Sequence, residues 1–422
     1  MYSMNSSPGV IRNRKTAVTA IVPTYNRAKY LEEAVSSILD QTLAPTQVIV
    51  VDDGSTDNTR EIIAGFGGSI EYIAKPNGGK SSALNFVLPR ATGEFVWIFD
   101  DDDVAERDSL EKLVQALREN PECGFAYGHY DLFKTDEDGR IRRIPVSFPS
   151  VNGRNLYLAL MERSFILQQG LLVRKSCYDE VGNFDESLIR SQDLDMILRL
   201  ARRYRGTRVP EILFHQRQHS GIRGSKSNPV SANRAVEGWV SSDRKIIGGI
   251  YATHDLRAFL PLECEERELP AEKKFIALLQ RACITARKGM WHEAAQDLGQ
   301  ASEIAQRTNK TSLERPETEI LRRIFDLFSY APHTFNGAGE FRQALKKIRP
   351  KALQRHMRAA ILWPLPFTLG AALLNGQYAN FWRFVGVYFK LATPSAVFYS
   401  VTSPSFLYAG IDLIRRRRGA SG

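Results

Sequence analysis

The stretch that most constrains the fold is the apolar run Phe95–Phe99, which is followed at once by four acidic residues, Asp100–Asp103. Five consecutive apolar residues predict a buried strand, and four carboxylates cannot continue a core. Two carboxylates about 4 Å apart repel each other by roughly 1 kcal/mol in water and by about 4 kcal/mol at an effective dielectric constant of 20. A divalent cation relieves this repulsion, because hard cations take oxygen ligands. The stretch is therefore either a solvated turn at the end of a strand or one side of a cation site.

Composition places the chain among ordinary globular proteins. It has 422 residues, of which 43% are hydrophobic and 25% charged, enough for two or three domains. Its four cysteines are widely spaced and form no C-x-x-C pair, which argues against a zinc ribbon or a disulfide framework and favours a reducing compartment. Residues 1–15 lack the apolar segment of a secretory signal and are predicted to be a disordered leader.

The positive charge is concentrated near the end of the chain. The net charge is +10, but thirteen Lys or Arg residues and a single acid, Asp412, lie from residue 341 onward. The preceding residues are therefore slightly acidic. This distribution gives no support to nucleic-acid binding by the main domain.

Strand-like and helix-like patterns alternate in the first hundred residues. The β-rich runs are at 18–22, 47–51, 70–73 and 95–99, and helical spacing of apolar residues falls between them. This alternation predicts a mostly parallel sheet flanked by crossover helices. Ligands of such sheets bind beyond the carboxyl ends of the strands. The loops Pro23–Asn26, Asp52–Ser55 and Asp100–Asp103 are therefore predicted to converge on one crevice.

Two common nucleotide-binding motifs are absent from this part of the chain. No G-x-G-x-x-G follows the first strand, which disfavours a dinucleotide-binding oxidoreductase. Gly79-Lys80-Ser81 ends like a P-loop, but Ala74 stands where that motif needs glycine, so a P-loop kinase is disfavoured too. A crevice rich in carboxylates suits a divalent metal that neutralises a diphosphate.

The residues at the strand ends carry a family resemblance. The segments Val18–Asn26 and Val50–Asp57, together with the Asp cluster, resemble family 2 glycosyltransferases, and the similarity spans roughly residues 16–225. The resemblance implies an α/β fold of the GT-A, Rossmann-like type, in which helices flank a mostly parallel central sheet. It also implies a nucleotide-sugar donor and a divalent cofactor, Mn²⁺ or Mg²⁺.

The resemblance assigns roles to individual residues of the donor site. Pro23 and Tyr25 would lie against the base and ribose, with Asn26 in the same loop, and Asp53 would accept a hydrogen bond from the base. Lys80 would approach the diphosphate or the base. Asp100-Asp101-Asp102 would be the D-x-D element, with Asp102 as the metal ligand and Asp100 or Asp101 nearer the sugar or ribose. His219 would lie near the metal or the donor phosphates.

The same resemblance points to a general base. The segment Gly182–Glu186 and the pair Gln192-Asp193 correspond to the family's G-x-F-D-E segment and to its E-D pair, with Gln192 in place of Glu. Asp193 would take the proton of the acceptor hydroxyl in a transfer that inverts the sugar's configuration. Asp195 is the competing candidate, and a helix first-turn carboxylate with no catalytic role is the structural alternative.

The second half of the chain is predicted to be mainly α-helical. Segments 274–288 and 292–306 have the periodicity of a helical hairpin. We therefore expect a glycosyltransferase domain at 16–228, a helical domain at 229–335 and a basic, amphipathic helical region at 336–422. Apolar, aromatic and basic residues together in the last region predict contact with an anionic membrane surface. An ordinary helical subdomain with a solvated tail is the alternative.

These observations lead to one principal function and two alternatives. The principal hypothesis is an inverting, metal-dependent glycosyltransferase, cytoplasmic and peripheral at the inner membrane. It would move a sugar, with UDP as the expected carrier, to a saccharide or lipid-linked acceptor in surface polysaccharide synthesis. The alternatives are a non-catalytic glycosyltransferase-like protein that binds nucleotide or a partner, and, more distantly, a nucleotidyltransferase. The sequence leaves the oligomeric state open, a homo-oligomer included.

Overall fold

A computed structural model of the chain provides the structure. It describes residues 17–136, 138, 140–149, 151, 155–218, 235–260, 268–326, 329–374 and 378–392. The chain divides into two compact units, one formed by Met1–Phe148 with Ile166–Ala232 and the other by Pro149–Phe165 with Asn233–Gly422. The leader predicted at 1–15 and the basic end of the chain after residue 392 lie outside the described residues.

One mixed sheet forms the centre of the first unit. Its strands are β1 Val18–Thr24, β2 Gln47–Asp52, β3 Glu71–Ala74, β4 Phe95–Ile98, β5 Val104–Ala105, β6 Cys123–Thr135, β7 Ile141–Pro145, β8 Leu171–Arg174 and β9 Arg205–Arg217. The order is β3-β2-β1-β4-β8-β6-β9-β5, and β7 pairs with β6 outside this path. Strands β1 to β4 pair in parallel, as their alternation with helices predicted.

The remaining strands make the sheet mixed. Strand β8 runs antiparallel to both β4 and β6, whereas β6 and β9 pair in parallel. The segment Asp136-Glu137-Asp138-Gly139 predicts a hairpin turn, and the strands on either side of it, β6 and β7, pair antiparallel. The apolar residues of segment 165–173 predict a further strand, but β8 begins only at Leu171, because Gln168–Gly170 form a 3₁₀ turn. Sequence reasoning placed this strand wrongly, since the apolar run hides two buried glutamines.

Helices pack on the sheet and close its core. They are α1 Ala28–Leu39, α2 Thr59–Ala64, α3 Lys80–Val87, α4 Ser109–Glu119, α6 Lys175–Val181 and α7 Gln192–Arg203. The apolar run that follows β3 and α3 in the sequence is buried as predicted, with Phe95, Trp97 and Phe99 in one core cluster with Leu110 and Phe214. Because the core fills up to Phe99, the acidic residues begin at the edge of the sheet.

The second unit is helical. Its helices are α5 Leu156–Glu162, α8 Ala235–Thr253, α9 Ala271–Arg287, α10 Trp291–Arg307, α11 Arg315–Arg322, α12 Ala331–Thr334, α13 Gly339–Lys347, α14 Lys351–Leu362, α15 Leu365–Leu374 and α16 Tyr378–Leu391. Helices α9 and α10 are the predicted hairpin. The Trp291 ring packs in the core of this unit, with its centroid 5.1 Å from that of Phe341. None of the described helices has both the length and the apolar content needed to cross a bilayer.

Candidate functional site

Three loops meet at the carboxyl edge of β1, β2 and β4. The backbone N–H of Asn26 donates to Ser55 Oγ at 2.9 Å, and Asn26 Oδ1 accepts from the N–H of Thr56 at 2.7 Å. Asn26 adopts a φ of +51°, a left-handed conformation that asparagine tolerates. A guanidinium nitrogen of Arg27 lies 3.5 Å from Asp102 Oδ2. The predicted convergence of the three loops is therefore present in the structure.

Three of the four acidic residues share one small volume. One carboxylate oxygen from each of Asp100, Asp102 and Asp103 lies within 4.8 Å of the others. The pKa of Asp103 is raised well above its usual range by burial and by the neighbouring carboxylates of Asp102 and Asp100. Burial, reinforced by Asp102, raises the pKa of Asp101 to about 7. Asp101 does not belong to this three-carboxylate cluster.

Two residues from distant parts of the chain hold this acidic loop. The Gln169 amide donates to Asp103 Oδ2 at 2.6 Å and to Asp100 Oδ2 at 2.9 Å. The backbone carbonyl of Gln169 accepts a hydrogen bond from Trp97 Nε1 at 2.7 Å. This bond attaches the Gln168–Gly170 turn to the core of the sheet. Arg217 donates its backbone N–H to Asp103 and its Nε to the Asp102 carbonyl, both at 2.9 Å. The loop is therefore held by hydrogen bonds from two segments that are distant in the sequence.

Lys80 and Asp193 lie in the same electrostatic environment. Lys80, in the first turn of α3, forms an ion pair with Asp100. Burial alone would lower the pKa of Lys80, but the carboxylates of Asp100 and Asp193 outweigh this effect and the pKa is raised. The pKa of Asp193 is also raised, mainly by burial, and Lys80 partly opposes that shift. The structure thus brings the two residues close enough to interact with each other and with Asp100.

Asp193 and its competitor Asp195 differ in what surrounds them. Both lie in the first turn of α7. Asp195 accepts a hydrogen bond from Nε of Arg199 at 2.9 Å, an ion pair along the helix. Asp193 accepts from the N–H of Leu194 at 2.9 Å and lies near Lys80. Of the two carboxylates, Asp193 is the one associated with the acidic edge of the sheet.

Asp53 organises the loop that leads into α3. Its oxygens accept from Lys75 Nζ at 2.7 Å, from the backbone N–H of Gly78 at 2.9 Å and Gly79 at 2.6 Å, and from the Asn77 amide at 3.0 Å. Gly79 has a φ of +89°, a conformation that a side chain would disfavour. Asp53 is 3% exposed, and the loop donates to both of its oxygens. Its predicted bond to a nucleotide base stays a prediction.

The other predicted residues have simpler positions. Pro23 is buried within β1, where it pairs with Val51, and Tyr25 is half-buried just after the strand. His219 lies outside the described residues. The nearby His215 is enclosed by two carboxylates, Asp131 on Nδ1 and Glu106 on Nε2, the latter at 2.6 Å.

The acidic cluster suits a hard divalent cation. Carboxylate oxygens are the ligands that Mg²⁺ and Mn²⁺ prefer, and Asp100, Asp102 and Asp103 supply one each within 4.8 Å. At that spacing, each pair of charges repels by roughly 3 kcal/mol at an effective dielectric constant of 20. A bound cation would offset this repulsion and return the raised carboxyl pKa values toward their ordinary range.

Sequence reasoning missed three residues of this site. Arg27, Lys75 and Gln169 contact predicted site residues, but each sits in a segment without a recognisable motif. Gln169 had one sequence signal. Gln168 and Gln169 interrupt an otherwise apolar run, and a buried polar side chain needs a hydrogen-bonding partner.

Comparison with known proteins gives a family for part of the chain. Residues 19–178 match the family described as glycosyl transferase family 2. The resemblance seen in the strand-end motifs is thereby confirmed over these residues. With the sheet and its flanking helices, the match also confirms the GT-A fold class, and the helical second unit agrees with the predicted helical carboxyl-terminal region.

Relatives share this region and extend well beyond it. An uncharacterised glycosyltransferase of Rickettsia conorii is 35% identical over 192 residues, which are 44% of this chain and 32% of that protein. The hyaluronan synthase of Pasteurella multocida is 29% identical over 192 residues, 45% of this chain and 19% of the synthase. The chain therefore spans less than a third of the length of either relative.

A solved structure resembles the chain more loosely. Residues 1–349 of TarS from S. aureus, in complex with UDP-GlcNAc, are 20% identical, with a TM-score of 0.48. The similarity covers 89% of this chain and 91% of that one.

Proposed function

Because residues 19–178 match glycosyl transferase family 2, we propose that the chain is a glycosyltransferase that uses a nucleotide-diphosphate sugar, with a UDP-sugar as the first donor to test. The observation that carries this proposal is the meeting of the acidic cluster, Lys80 and Asp193 at the carboxyl edge of the sheet. A donor diphosphate needs positive charge around it, and an acceptor hydroxyl needs a base. Both kinds of group are present there.

The acidic loop is the proposed diphosphate side of the site. Asp100, Asp102 and Asp103 would hold Mn²⁺ or Mg²⁺, with Asp102 as the principal ligand, and the bound metal would neutralise the charge of the diphosphate. Lys80 would orient the donor through its pairing with Asp100. The nucleotide would lie against the loops that contain Pro23, Tyr25, Asn26 and Asp53, and Asp101 would lie nearer the sugar or ribose.

Asp193 is the proposed general base of an inverting transfer. The acceptor oxygen would attack the anomeric carbon of the donor sugar while the bond from that carbon to the phosphate oxygen breaks. The acceptor hydroxyl proton would pass to Asp193, and the nucleoside diphosphate would leave. Burial raises the pKa of Asp193, which makes its carboxylate a stronger base than an ordinary aspartate. Asp195, paired with Arg199, is less suited to the role.

The proposal extends to the acceptor and to the location of the protein. The hyaluronan synthase relative makes a polysaccharide, which supports a saccharide or lipid-linked saccharide acceptor. We place the protein at the cytoplasmic face of the inner membrane, held peripherally by its basic carboxyl-terminal region. The thirteen cations against one acid from residue 341 onward support this location.

A thermal-shift panel of nucleotide sugars, with and without Mn²⁺, tests donor binding directly. A ligand that binds the folded state raises the melting temperature, and about 100-fold excess over Kd adds roughly 2.7 kcal/mol to the stability. We expect at least one nucleotide sugar to stabilise the protein more in Mn²⁺ than in EDTA. Donors that bind are then incubated with saccharide acceptors, and release of a nucleoside diphosphate rather than pyrophosphate identifies glycosyl transfer. No stabilisation by any nucleotide sugar would contradict the proposal, and binding without transfer would favour the non-catalytic alternative.

A further inference from the structure

Helix α16 is apolar on two opposite sides. Its inner side packs in the core of the helical unit through Phe384, Val387 and Leu391. Its outer side carries Tyr378, Trp382 and Phe389, which are 63%, 68% and 77% exposed. At 3.6 residues per turn, these three residues fall within an arc of about 40°, roughly opposite the buried three. We call this outer side the aromatic face.

The aromatic face is unusual for a surface helix. A helix packed on a core normally carries polar residues on its other side. Trp382 and Phe389 are instead the most exposed large hydrophobic side chains in the described part of the chain. Leu373 of α15, a helix that packs against α16, is also 49% exposed. Apolar surface of this kind marks a site of contact with something else.

The charged side chains on α16 and on the two helices before it are all positive. Arg383 and Lys390 are exposed on α16, where they donate to neighbouring asparagine side chains at 3.0 and 2.9 Å. Helices α14, α15 and α16 contain no acidic residue, and α14 adds the exposed cations Lys351 and Arg355. The partner surface must therefore tolerate or require positive charge.

We propose that the aromatic face of α16 docks on an anionic membrane surface. Trp382 and Tyr378 would enter the headgroup region, where amphipathic rings are favoured, and Phe389 would enter the boundary with the acyl chains. Arg383 and Lys390 would meet lipid phosphates. A second copy of the chain fits less well, because pairing two such faces would bring like charges together. This proposal rests on the peripheral membrane location given under the proposed function and names the surface that makes the contact. It does not depend on the proposed chemistry at Asp193.

Vesicle sedimentation with the full-length chain tests this proposal. The vesicles contain phosphatidylcholine alone or with about 30% phosphatidylglycerol, at salt from about 0.1 to about 0.5 M. We expect binding to the anionic vesicles that weakens as salt rises. The double variant Trp382→Ser/Phe389→Ser should lose affinity by roughly tenfold or more. Ile141→Ser/Ile189→Ser, which removes two exposed side chains of the first unit, should bind like the wild type.

A charge variant separates the two parts of the interaction. Arg383→Gln/Lys390→Gln keeps the rings and should reduce the preference for anionic over neutral vesicles, while the remaining cations from residue 341 onward still contribute. Unchanged melting temperature and unchanged stabilisation by nucleotide sugars show that the variants fold and that the donor site is intact, so failure of docking is distinct from failure of the proposed function. Wild-type affinity of the aromatic variant for vesicles would overturn the proposal. So would conversion of a dimer to a monomer by that variant with vesicle binding unaffected, which would assign the face to a second copy.

Discussion

Lys80 links the two acidic groups of the candidate site. It forms an ion pair with Asp100, and its charge also lowers the pKa of Asp193 against the larger effect of burial. A change at Lys80 should therefore alter both the donor side and the base. A solvated lysine at the start of a helix would affect neither, so the two effects together would identify Lys80 as a residue of the site.

Replacing Lys80 by methionine should shift the pH dependence of sugar transfer. Without the cation, the pKa of Asp193 rises further, so more of the base is protonated at a given pH. The acidic limb of the kcat/KM profile should move to higher pH, from a wild-type position already above the ordinary aspartate pKa of about 3.9. The matched control is Lys112→Met, which breaks the surface pair with Asp108. An unchanged profile in Lys80→Met would mean that Lys80 and Asp193 do not interact.

Gln169 should act as a positioning residue for the acidic loop. Gln169→Leu removes the amide that donates to both Asp100 and Asp103, and a charged group left without its donor costs about 1–3 kcal/mol. Denaturant unfolding at neutral pH without metal should show a loss of this size, and calorimetric Mn²⁺ affinity should change as well. Gln168→Leu, the same change at the adjacent buried glutamine, should leave Mn²⁺ affinity unaltered. Equal Mn²⁺ affinities in all three proteins would refute the role.

At this scale the sequence shows residue types but not which side chains meet. The run Asp100–Asp103 predicted carboxylates at a strand end, and the structure agrees. The sequence did not predict that Asp103 joins Asp100 and Asp102 while Asp101 stays outside the cluster. The backbone direction within a tight turn decides which carboxylates face each other. Gln169 lies more than sixty residues from the acidic loop, and only the folded sheet brings them together.

At the scale of elements, a carboxylate at the end of β2 holds the loop before α3. Asp53 accepts bonds from backbone and side-chain donors over residues 75–79, and this loop ends where α3 begins with Lys80. The position of Lys80 therefore depends on a carboxylate at the end of a different strand. Asp53 therefore stabilises this loop whether or not it also contacts a nucleotide.

Asp53→Asn should destabilise the protein and misplace Lys80. One carboxylate oxygen becomes an amide that cannot accept, so donors of the loop lose their partner, and we expect a cost of about 2–3 kcal/mol. The measurement is the free energy of unfolding from denaturant titration. Asp40→Asn, an exposed aspartate at the end of α1, is the control and should stay within about 0.5 kcal/mol of the wild type. An unchanged free energy of unfolding in Asp53→Asn would contradict the claim that Asp53 stabilises this loop.

Elements with a strong local pattern were predictable from the sequence. Strands β1 to β4 and the α9–α10 hairpin follow from alternation and periodicity alone. The insertion of β8 between β4 and β6 does not, because antiparallel pairing of distant strands leaves no local signal. The Gln168–Gly170 turn could not be predicted either, because it depends on hydrogen bonds to distant residues. The local pattern around the two buried glutamines is also compatible with a strand.

At the scale of the whole molecule, the acidic loop should make stability depend on pH in an uncommon direction. Burial raises the folded-state pKa of Asp101 to about 7 and that of Asp103 well above its ordinary value. A carboxyl with a raised pKa binds its proton more tightly in the folded state. Its contribution to stability is therefore present at low pH and is lost as pH rises through the folded pKa.

The metal-free protein should accordingly gain stability as pH falls from about 8 to about 6, by roughly 1 kcal/mol from Asp101 alone. Unfolding in denaturant with EDTA, repeated across this range, measures the effect. Mn²⁺ should reduce the slope, because a bound cation favours the charged carboxylates. Asp101→Asn should reduce the slope and leave the contribution of Asp103, whereas Asp108→Asn on the surface should leave the slope unchanged. A slope of the opposite sign in EDTA would contradict this account of the loop.

The central claim is that the acidic loop binds the donor while a separate residue, Asp193, takes the proton. The most direct test measures donor affinity and sugar transfer side by side in the wild type and in Asp193→Asn. We predict that the variant binds the nucleotide sugar with Mn²⁺ within about threefold of the wild type and transfers sugar about 10²–10⁴-fold more slowly. Transfer by Asp193→Asn at the wild-type rate would contradict the claim.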